Sequence, residues 1–351
     1  MVYQLTPTLF SQGKLCPVHD DNHNVIGIIA INSTALGPAA GGCRLWSYKD
    51  HADLVHDAVR LAKGMSYKNA MAGLPFGGGK AVLQLPAGNF DRTALLRCLA
   101  RAVQRLGGDY ITAEDVGTTT ADMVILRKDT QYVAGLPVTA GYAGGDPSPW
   151  TAMGVFEAIK AATKHIFGSD LQGLSVAVQG VGNVGQRLCR LLHEAGATLV
   201  VADVDEDRCT AIRDEFGAQI VQPDALLSAD VDVLAPCGLG GILNSATIPK
   251  IRAKIICGGA NNQLAQSGDG SALRDRKILY APDYVVNAGG IINVSAEYLL
   301  ETPEQVHNRV LQIPNRLLSV FAKSTEQGLP TNVAADQMAE HIIRGANSEA
   351  A

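Results

Sequence analysis

The chain has 351 residues, of which 47% are hydrophobic and 18% charged, a composition typical of a folded chain long enough for two domains and unlike that of a disordered one. Its 29 basic and 34 acidic residues give a formal net charge of −5 with no local basic stripe, which argues against nucleic-acid binding. No apolar run approaches the roughly 18 residues of a membrane helix, and residues 1–10 lack the basic-then-apolar layout of a signal peptide. We therefore expect a cytoplasmic protein that binds neither nucleic acid nor membrane.

The cysteines and histidines give no sign of a metal centre. The seven cysteines are scattered, and no two of them form the CxxC pair of zinc or redox sites. The eight histidines form no HExxH motif. We predict that the thiols are reduced and packed as small apolar groups, and that the protein has no metal site.

The first part of the chain alternates between strand and helix patterns, which predicts an α/β fold. Apolar runs indicate the strands, and apolar residues spaced three to four apart indicate the helices. The predicted elements are a strand over 24–32, a helix over 51–65, a strand over 81–85, a helix over 91–108 that begins at an aspartate and ends at glycines, and a strand over 110–117. Together they predict an N-terminal domain over residues 1–138.

Glycine and proline cluster in residues 139–150, as in a hinge between two regular regions. A stricter alternation follows, which predicts a doubly wound parallel sheet in a domain over 139–324. Helices are predicted over 150–168, 183–195 and 206–216, and strands over 175–180, 198–205, 218–223 and 231–237, with further strand-like segments at 254–263 and 278–290. The tail over 303–347 indicates helices, and we expect those from about 325 to 351 to pack back on the first domain.

A GxGxxG motif formed by Gly180, Gly182 and Gly185 ends one predicted strand and opens a helix. Asp203 follows at the tip of the next strand, 18 residues after Gly185, close to the spacing of about 20 in dinucleotide-binding domains. The alternative is a glycine-rich turn that binds nothing, and it leaves the coincidence of strand, helix and acidic residue unexplained.

Each residue of this motif suits a dinucleotide. The first glycine permits the tight turn, the second lets the backbone approach a pyrophosphate, and the third lets helix and strand pack closely. The helix N-terminus offers free N–H groups to the anion. The carboxylate of Asp203 accepts hydrogen bonds from ribose hydroxyls and repels a 2′-phosphate, which favours NAD over NADP, although Arg208 is a basic neighbour that acts in the other direction.

Two lysines, Lys68 and Lys80, lie twelve residues apart, and Gly77–Gly79 directly precede the second one. The run lacks the GK[ST] ending of a Walker loop, which argues against phosphoryl transfer. Glycines would let the backbone come close to a ligand, while the following strand holds Lys80 rigidly. Like-charge repulsion and desolvation would lower the pKa of one lysine and make it a base near neutral pH. On these residues alone, a pair of solvated surface lysines remains the alternative.

Taken together, the motifs resemble those of the amino-acid dehydrogenase family that comprises glutamate, leucine, valine and phenylalanine dehydrogenases. The resemblance extends from about Ile28 to Leu300. Its motifs are LGPAAGGCR (36–44), LAKGMSYKNAMAGLPFGGGKAV (61–82), YITAEDVGTTTADM (110–123), VQGVGNVG (178–185), APCGLGG (235–241), GGANNQL (258–264) and YAPDYVVNAGGIINV (280–294).

The resemblance implies a reaction and the residues that carry it. Lys68 and Asn261 would bind the α-carboxylate of an L-amino acid, Lys80 would activate the water that attacks the imino intermediate, and Asp115 would move a proton to or from the amino group. The products would be a 2-oxo acid and ammonia. The implied cofactor contacts are Gly180, Gly182, Asn183, Val184, Gly185, Asp203, Thr151, Cys237 and Asn262. The family also implies a homo-oligomer, and an active-site cleft between the substrate domain and the NAD domain that closes about the hinge.

The side-chain pocket implied by the resemblance consists of Ala40, Gly41, Gly42, Ala113, Ile291 and Val294. In glutamate dehydrogenases a lysine in the loop before the GG pair binds the distal carboxylate, and a serine follows the later NAGG; here Ala40 and Val294 stand at those positions. An uncompensated buried carboxylate would cost several kcal/mol, so glutamate is excluded and an apolar side chain is expected.

The residues leave the choice between aliphatic and aromatic substrates open. Ala113 resembles leucine and valine dehydrogenases, whereas Ala40 stands where leucine enzymes usually have Leu and opens volume for a larger side chain such as that of phenylalanine. We predict the leucine, valine and isoleucine class, with phenylalanine as the alternative. Two further classes remain: a 2-hydroxy-acid dehydrogenase, which would be expected to use a histidine base in these motifs, and a non-catalytic nucleotide-binding module, which would not need Lys80 and Asp115.

Overall fold

The computed structural model describes residues 13–349, with side chains up to residue 346. Residues 1–10, on which the signal-peptide argument rests, lie outside this part of the chain. Within it, no helix is both long enough and apolar enough to cross a membrane. All seven cysteines fall in the described part and are free thiols, and no group of histidine, cysteine and acidic side chains there is arranged to hold a metal ion.

The strands belong to two sheets. The first contains β1 (Lys14–His19), β2 (Val25–Ser33), β3 (Ala39–Trp46), β4 (Gly77–Gln84) and β5 (Tyr110–Glu114) in the order β1-β2-β4-β3-β5. The second contains β6 (Ser175–Gln179), β7 (Thr198–Ala202), β8 (Gln219–Ile220), β9 (Val233–Pro236), β10 (Ile255–Ile256) and β11 (Leu279–Tyr280) in the order β11-β10-β9-β6-β7-β8.

The helices alternate with these strands and then fill the C-terminal region. They are α1 (His51–Ala72), α2 (Arg92–Arg105), α3 (Thr120–Arg127), α4 (Ser148–Phe167), α5 (Asn183–Glu194), α6 (Glu206–Phe216), α7 (Pro223–Leu226), α8 (Asp269–Asp275), α9 (Asp283–Val286), α10 (Gly289–Tyr298), α11 (Pro303–Val310), α12 (Ile313–Gln327) and α13 (Thr331–Glu349). A short 3-10 helix covers Ile248–Lys250.

The chain forms two compact units. The first runs to Gly145 and also contains Val294–Thr302 and the chain from Ala339 onward, and the second contains Asp146–Asn293 and Pro303–Met338. The division therefore falls within α10 and again within α13. The domain boundaries of the sequence analysis, 1–138 and 139–324 with a returning tail, stay predictions.

The sheet of the first unit is mixed. Strand β2 pairs antiparallel with β1 and β4, whereas β3 pairs parallel with β4 and β5. Its core is apolar on both faces: β2 contributes Ile29 to one cluster with α2, and Ile28 to another with α1. This burial on both sides explains why β2 reads as a continuous apolar run.

The second unit is a parallel sheet with helices between its strands, as the alternation predicted. Strand β6 lies in the middle and pairs with β7 and β9, so the chain reverses direction across the sheet at this strand. In open α/β sheets the crevice at such a switch point, beyond the carboxyl ends of the strands, binds ligands. The topology thus places the GxGxxG turn at the standard position for a nucleotide.

Several element predictions were wrong in detail. Strands β1 and β3 and helix α3 were not predicted, and the strand predicted over 218–223 is only the two-residue β8. Helix α1 continues past residue 65 to Ala72, where Gly73 ends it at φ 63. It passes through Gly64, where a methyl group would meet no described atom within 4 Å apart from the helix's own nearby backbone. The predicted helical tail is confirmed by α11, α12 and α13.

Candidate active site

Two of the predicted catalytic side chains meet in the first unit. Lys80 lies in the middle of β4, and Asp115 directly follows β5. Strand β3 pairs parallel with both β4 and β5, so these three strands run in the same direction. Lys80 Nζ lies 3.0 Å from Asp115 Oδ2, and the lysine side chain is only 6% exposed. A buried amine in the middle of β4 thus lies against a carboxylate just beyond the carboxyl end of β5.

The electrostatics suit proton transfer. Burial lowers the pKa of the Lys80 amine, and this effect exceeds the opposing influence of Asp115, so the pKa stays below its ordinary value. Burial alone would raise the pKa of the Asp115 carboxyl, but Lys80 and Arg44 together hold it below its ordinary value. The carboxylate is therefore charged at neutral pH, while the amine loses its proton more readily than a surface lysine does.

The glycines before Lys80 serve the close packing of the first unit. Gly77–Gly79 lie within β4, and a methyl group built on Gly78 would lie 2.0 Å from the Ser66 backbone nitrogen of α1. The absence of side chains lets α1 rest directly on the strand, where Asn69 Nδ2 donates a 2.6 Å hydrogen bond to the Gly77 carbonyl. Gly78 thus admits the protein's own helix, while Gly77 lies against Ser33 and Gly79 against the Tyr110 ring; the approach of a ligand to these glycines stays a prediction. Lys68 is half-buried on the same helix.

The predicted pocket residues of the first unit lie on β3 and β5. Ala40 belongs to strand β3 and not to a loop, and its side chain is 8% exposed. Gly42 stands opposite Ala113 of β5. A methyl group on Gly42 would lie 2.9 Å from Asp115 Cβ, so glycine is required there for the carboxylate to occupy its place. Gly41 is equally restricted, because its methyl group would lie 1.9 Å from the Gly79 carbonyl oxygen.

A further ion-pair network adjoins this pair and was missed by the sequence analysis. Arg44 donates from Nε to Asp115 Oδ2 at 3.1 Å and from a terminal nitrogen to Asp57 Oδ2 at 3.0 Å. Residues 40, 42 and 44 lie on one face of β3, but because this strand was not predicted, its alternation gave no signal for the network. Arg44 closes the LGPAAGGCR motif, but its partners are 13 and 71 residues away in sequence, so their pairing is invisible before folding.

The glycine-rich turn lies in the second unit and has the expected backbone. Gly180 adopts φ 86, which favours glycine, and a methyl group on Gly185 would lie 2.0 Å from the Gly180 carbonyl oxygen. At Gly182 the one described atom that a methyl group would meet within 4 Å belongs to Arg208, at 3.5 Å, so open space adjoins the backbone in this part of the structure. No side chain caps α5 at Gly182, so its first N–H groups are available to an anion. The turn fits a dinucleotide pyrophosphate.

Asp203 follows β7 and is fixed by two backbone donors. Its Oδ2 accepts from Val181 N at 2.7 Å and its Oδ1 from Asp205 N at 3.0 Å. These bonds tie the carboxylate to the glycine-rich turn. Arg208 pairs with Asp205 at 3.0 Å, and a cavity of about 380 Å³ beside the turn is lined in part by Val181 and Arg208.

The remaining predicted residues of the second unit lie around the carboxyl ends of its strands and on three helices. Asn261 accepts at Oδ1 a 2.8 Å hydrogen bond from the buried amide of Asn287, which leaves the Asn261 amide nitrogen as the donor for a ligand. Sequence reasoning missed Asn287, although it lies in the quoted NAGG motif. The others are Asn183 and Val184 in the first turn of α5, Thr151 on α4, Cys237 after β9, Asn262 with φ 52, and Ile291 on α10.

Val294 stands three residues after Ile291 on α10, so both project from one face of that helix. Both are half-buried, whereas Ile292 and Asn293 between them are buried. By the division into compact units, Lys68, Lys80, Asp115 and Val294 belong to the first, while Asn261, Ile291 and the glycine-rich turn belong to the second.

Comparison with known proteins identifies the family. Residues 14–132 match the model described as "Glu/Leu/Phe/Val dehydrogenase, dimerisation domain", and residues 146–221 and 201–348 match the model "Glutamate/Leucine/Phenylalanine/Valine dehydrogenase". A leucine dehydrogenase of Geobacillus stearothermophilus is 48% identical over 342 residues, which is 97% of this chain and 91% of that protein.

Two further relatives are named for other amino acids. A valine dehydrogenase of Streptomyces albus is 44% identical over 92% of this chain and 89% of its own length. The crystal structure of L-tryptophan dehydrogenase from Nostoc punctiforme superimposes with a TM-score of 0.86 at 43% identity, covering 95% of this chain and 96% of that one. The chain therefore belongs to the glutamate, leucine, phenylalanine and valine dehydrogenase family and is an amino-acid dehydrogenase.

Proposed function

We propose that the protein catalyses the NAD-dependent, reversible oxidative deamination of an apolar L-amino acid to its 2-oxo acid and ammonia. The observation that carries this proposal is the buried Lys80 amine 3.0 Å from the Asp115 carboxylate, next to glycine-rich strands. A 2-hydroxy-acid dehydrogenase is disfavoured by the same pair, because its chemistry releases no ammonia and needs no second proton-transfer group for an amine.

Each proposed role follows from the charge of the side chain. Lys68 and Asn261 bind the α-carboxylate, one as a cation and the other as an amide donor. Asp115 accepts a proton from the substrate ammonium, which frees the nitrogen lone pair that expels the hydride from Cα. When bound, the nicotinamide ring accepts that hydride. The Lys80 amine then takes a proton from the water that attacks the iminium carbon, and Asp115 returns its proton to the nitrogen of the resulting carbinolamine. Lys80, having passed the first proton to solvent, takes the proton of the carbinolamine hydroxyl as the C=O bond forms and the C–N bond breaks, which releases ammonia.

The cofactor is NAD in this proposal. Asp203 is held at the glycine-rich turn by two backbone bonds, where its carboxylate suits ribose hydroxyls and repels a 2′-phosphate. Arg208, the basic neighbour that favours NADP, is already paired with Asp205. The positive charge of Arg208, which would attract a 2′-phosphate, is thus partly neutralised within the protein.

The substrate class is the branched aliphatic one, leucine, valine and isoleucine. Ala40 and Val294 offer no charge to a distal carboxylate, and leucine and valine dehydrogenases are among the similar proteins. An aromatic amino acid is the second candidate, and one observation favours it. Ala40 leaves more volume than a leucine would on β3, and a protein named L-tryptophan dehydrogenase is 45% identical over 93% of this chain.

We further propose a homo-oligomer in the cytoplasm. The match of residues 14–132 to a model described as a dimerisation domain supports the assembly. Seven free cysteines, five of them buried, suit a reducing compartment.

A substrate panel tests the proposal. Reduction of NAD and of NADP is followed spectrophotometrically with L-leucine, L-valine, L-phenylalanine, L-tryptophan, L-glutamate and the 2-hydroxy acid that corresponds to leucine. We expect NADH and equimolar ammonia with the apolar amino acids, and at least tenfold lower kcat/KM with NADP. Turnover of the hydroxy acid without any amino-acid turnover, or a preference for glutamate, would refute the proposal.

A further inference from the structure

We propose that Arg44 is a positioning residue that holds Asp115 against Lys80, and that Arg44 and its counter-charge Asp57 set the pH range in which this pair transfers protons. The inference rests on the proposed function, because it assigns a role within that reaction. The observation behind it is a continuous chain of charge-assisted hydrogen bonds that begins at Lys80 and ends on helix α1.

The contacts at Asp115 are directional. Lys80 Nζ and Arg44 Nε both bind the same oxygen, Oδ2, at 3.0 and 3.1 Å. Two donors on one oxygen fix the orientation of the carboxylate about its Cβ–Cγ bond, and they leave Oδ1 as the oxygen that faces a reaction partner. Without Arg44, a single lysine bond would hold the group, and the carboxylate could rotate.

The guanidinium of Arg44 is itself held in place by Asp57. Its terminal nitrogen donates to Asp57 Oδ2 at 3.0 Å, and that oxygen also accepts a 2.7 Å bond from the Tyr48 hydroxyl. The other oxygen of Asp57 accepts from Arg60 at 2.7 Å. The side chains of Arg44 and Asp57 are only 20% and 16% exposed, so solvent screens this pair less than it screens a surface ion pair.

The buried thiol and the buried phenol nearest the pair do not carry charge in the working pH range. Burial raises the pKa of the Cys43 thiol on β3 to about 12. Burial also raises the pKa of the Tyr110 hydroxyl on β5 far above its ordinary value. Lys68 on α1 is the remaining cation expected beside the substrate. The charges that act on Lys80 and Asp115 are therefore mainly each other's and that of Arg44, and we expect Asp57 to act on the pair through Arg44.

This arrangement predicts opposite effects from two neutralising substitutions. Arg44→Gln removes a positive charge, which raises the pKa values of both Lys80 and Asp115 and moves the pH profile of kcat to higher pH. Asp57→Asn removes a negative charge but keeps Arg44, which lowers those pKa values and moves the profile to lower pH. A residue that only supports the fold would reduce the amount of active enzyme without moving the profile in either direction.

The experiment measures kcat for amino-acid oxidation against pH at saturating substrate and cofactor for the wild type, Arg44→Gln, Asp57→Asn, Arg44→Lys and the double variant. We expect the ascending limb to move up by about 0.5 to 1 pH unit in Arg44→Gln and down by a few tenths in Asp57→Asn. Arg44→Lys keeps the charge, so the ascending limb of its pH profile stays near the wild-type position. Its kcat falls about tenfold or more, because a lysine cannot bind Asp115 and Asp57 at once as the guanidinium does. The double variant returns the limb toward the wild-type position.

Arg97→Gln is the matched control, because Arg97 binds Asp129 with two nitrogens in the same unit at 2.8 and 3.3 Å and contacts neither member of the pair. Its profile should superimpose on that of the wild type. Profiles that stay unshifted, or that move in the same direction, in Arg44→Gln and Asp57→Asn would overturn the inference. If Arg44→Gln fails to fold, the pH profiles of Asp57→Asn and Arg44→Lys decide the inference: the first should move to lower pH and the second should stay near the wild-type position. An inactive wild type in the substrate panel would instead refute the proposed function, so the two failures are distinct.

Discussion

Position 40 carries a single methyl group on β3, on the strand face that it shares with Gly42 and Arg44. Replacing Ala40 by Leu adds three carbon atoms next to the proposed side-chain pocket. Overfilling should penalise phenylalanine by about 1 to 3 kcal/mol and leave valine nearly unaffected. The ratio of kcat/KM for phenylalanine over valine should then fall at least severalfold.

Ala121→Leu on the exposed surface of α3 is the control for this change, and it should leave the ratio as it is in the wild type. If Ala40→Leu also leaves the ratio unchanged, residue 40 does not contact the substrate. The argument for aromatic tolerance from its small size would then be lost.

Helix α1 depends on glycine at one point of contact with the sheet. Gly78→Ala would place a methyl group 2.0 Å from the Ser66 nitrogen, so α1 and Lys68 must move away from β4. We expect the free energy of unfolding to fall by about 1 to 3 kcal/mol and KM for the amino acid to rise. Urea denaturation and steady-state kinetics measure the two effects.

Gly64→Ala is a matched control on the same helix. Among the described residues, no atom outside the helix's own nearby backbone lies within 4 Å of a methyl group at Gly64, so the substitution should stabilise the protein by about 0.5 to 1 kcal/mol through helix propensity. A Gly78→Ala protein as stable as the wild type would show that α1 does not need the glycine surface of β4.

The start of α3 should make stability depend on acidic pH. Hydrogen bonds from Arg92 and Thr119 hold the pKa of the Asp122 carboxyl below its ordinary value, with Arg92 the largest cause. Asp122 accepts from Arg92 Nε at 2.8 Å and from Thr119 N at 2.8 Å in a capping box. A lowered pKa in the folded state stabilises the protein above the ordinary pKa of about 3.9, and this stabilisation is lost as the pH falls through the lowered value.

Asp122→Asn therefore removes part of the acid sensitivity. The difference in the free energy of unfolding between pH 6 and pH 3 should be smaller in the variant than in the wild type. Asp214→Asn, at an exposed site on α6, serves as the control. Equal pH dependence in Asp122→Asn and the wild type would contradict the assignment.

At the scale of the whole molecule, the second unit was more predictable than the first. Its parallel sheet repeats a local pattern of strand, turn and helix, and the turn with Gly180 is fixed by backbone requirements that the sequence displays directly. The mixed sheet of the first unit depends on pairings between distant segments. Strand β3 was not predicted because AAGG reads as a loop, whereas these small residues serve to pack α1, β4 and Asp115 closely.

The residues of the candidate site were also predictable only in part. Lys80 and Asp115 were named through the family resemblance and lie together, but residue patterns alone did not distinguish Lys80 from a surface lysine. Its burial and its pairing with Asp115 come from the fold. Arg44 and Asn287 escaped prediction because each acts through a partner that only the folded chain brings near.

The central claim is that Lys80 performs the chemistry in one compact unit, while the cofactor binds through the glycine-rich turn of the other. The most direct test is a comparison of Lys80→Ala with the wild type, in which kcat for the amino acid and the dissociation constant of NAD are measured on the same preparation. Lys160→Ala, at an exposed ion pair on α4, is the control. We predict that Lys80→Ala lowers kcat by about 100- to 10,000-fold while the NAD dissociation constant stays within about threefold of the wild type. A kcat within tenfold of the wild type, with NAD binding intact, would contradict the assignment of Lys80 as the base.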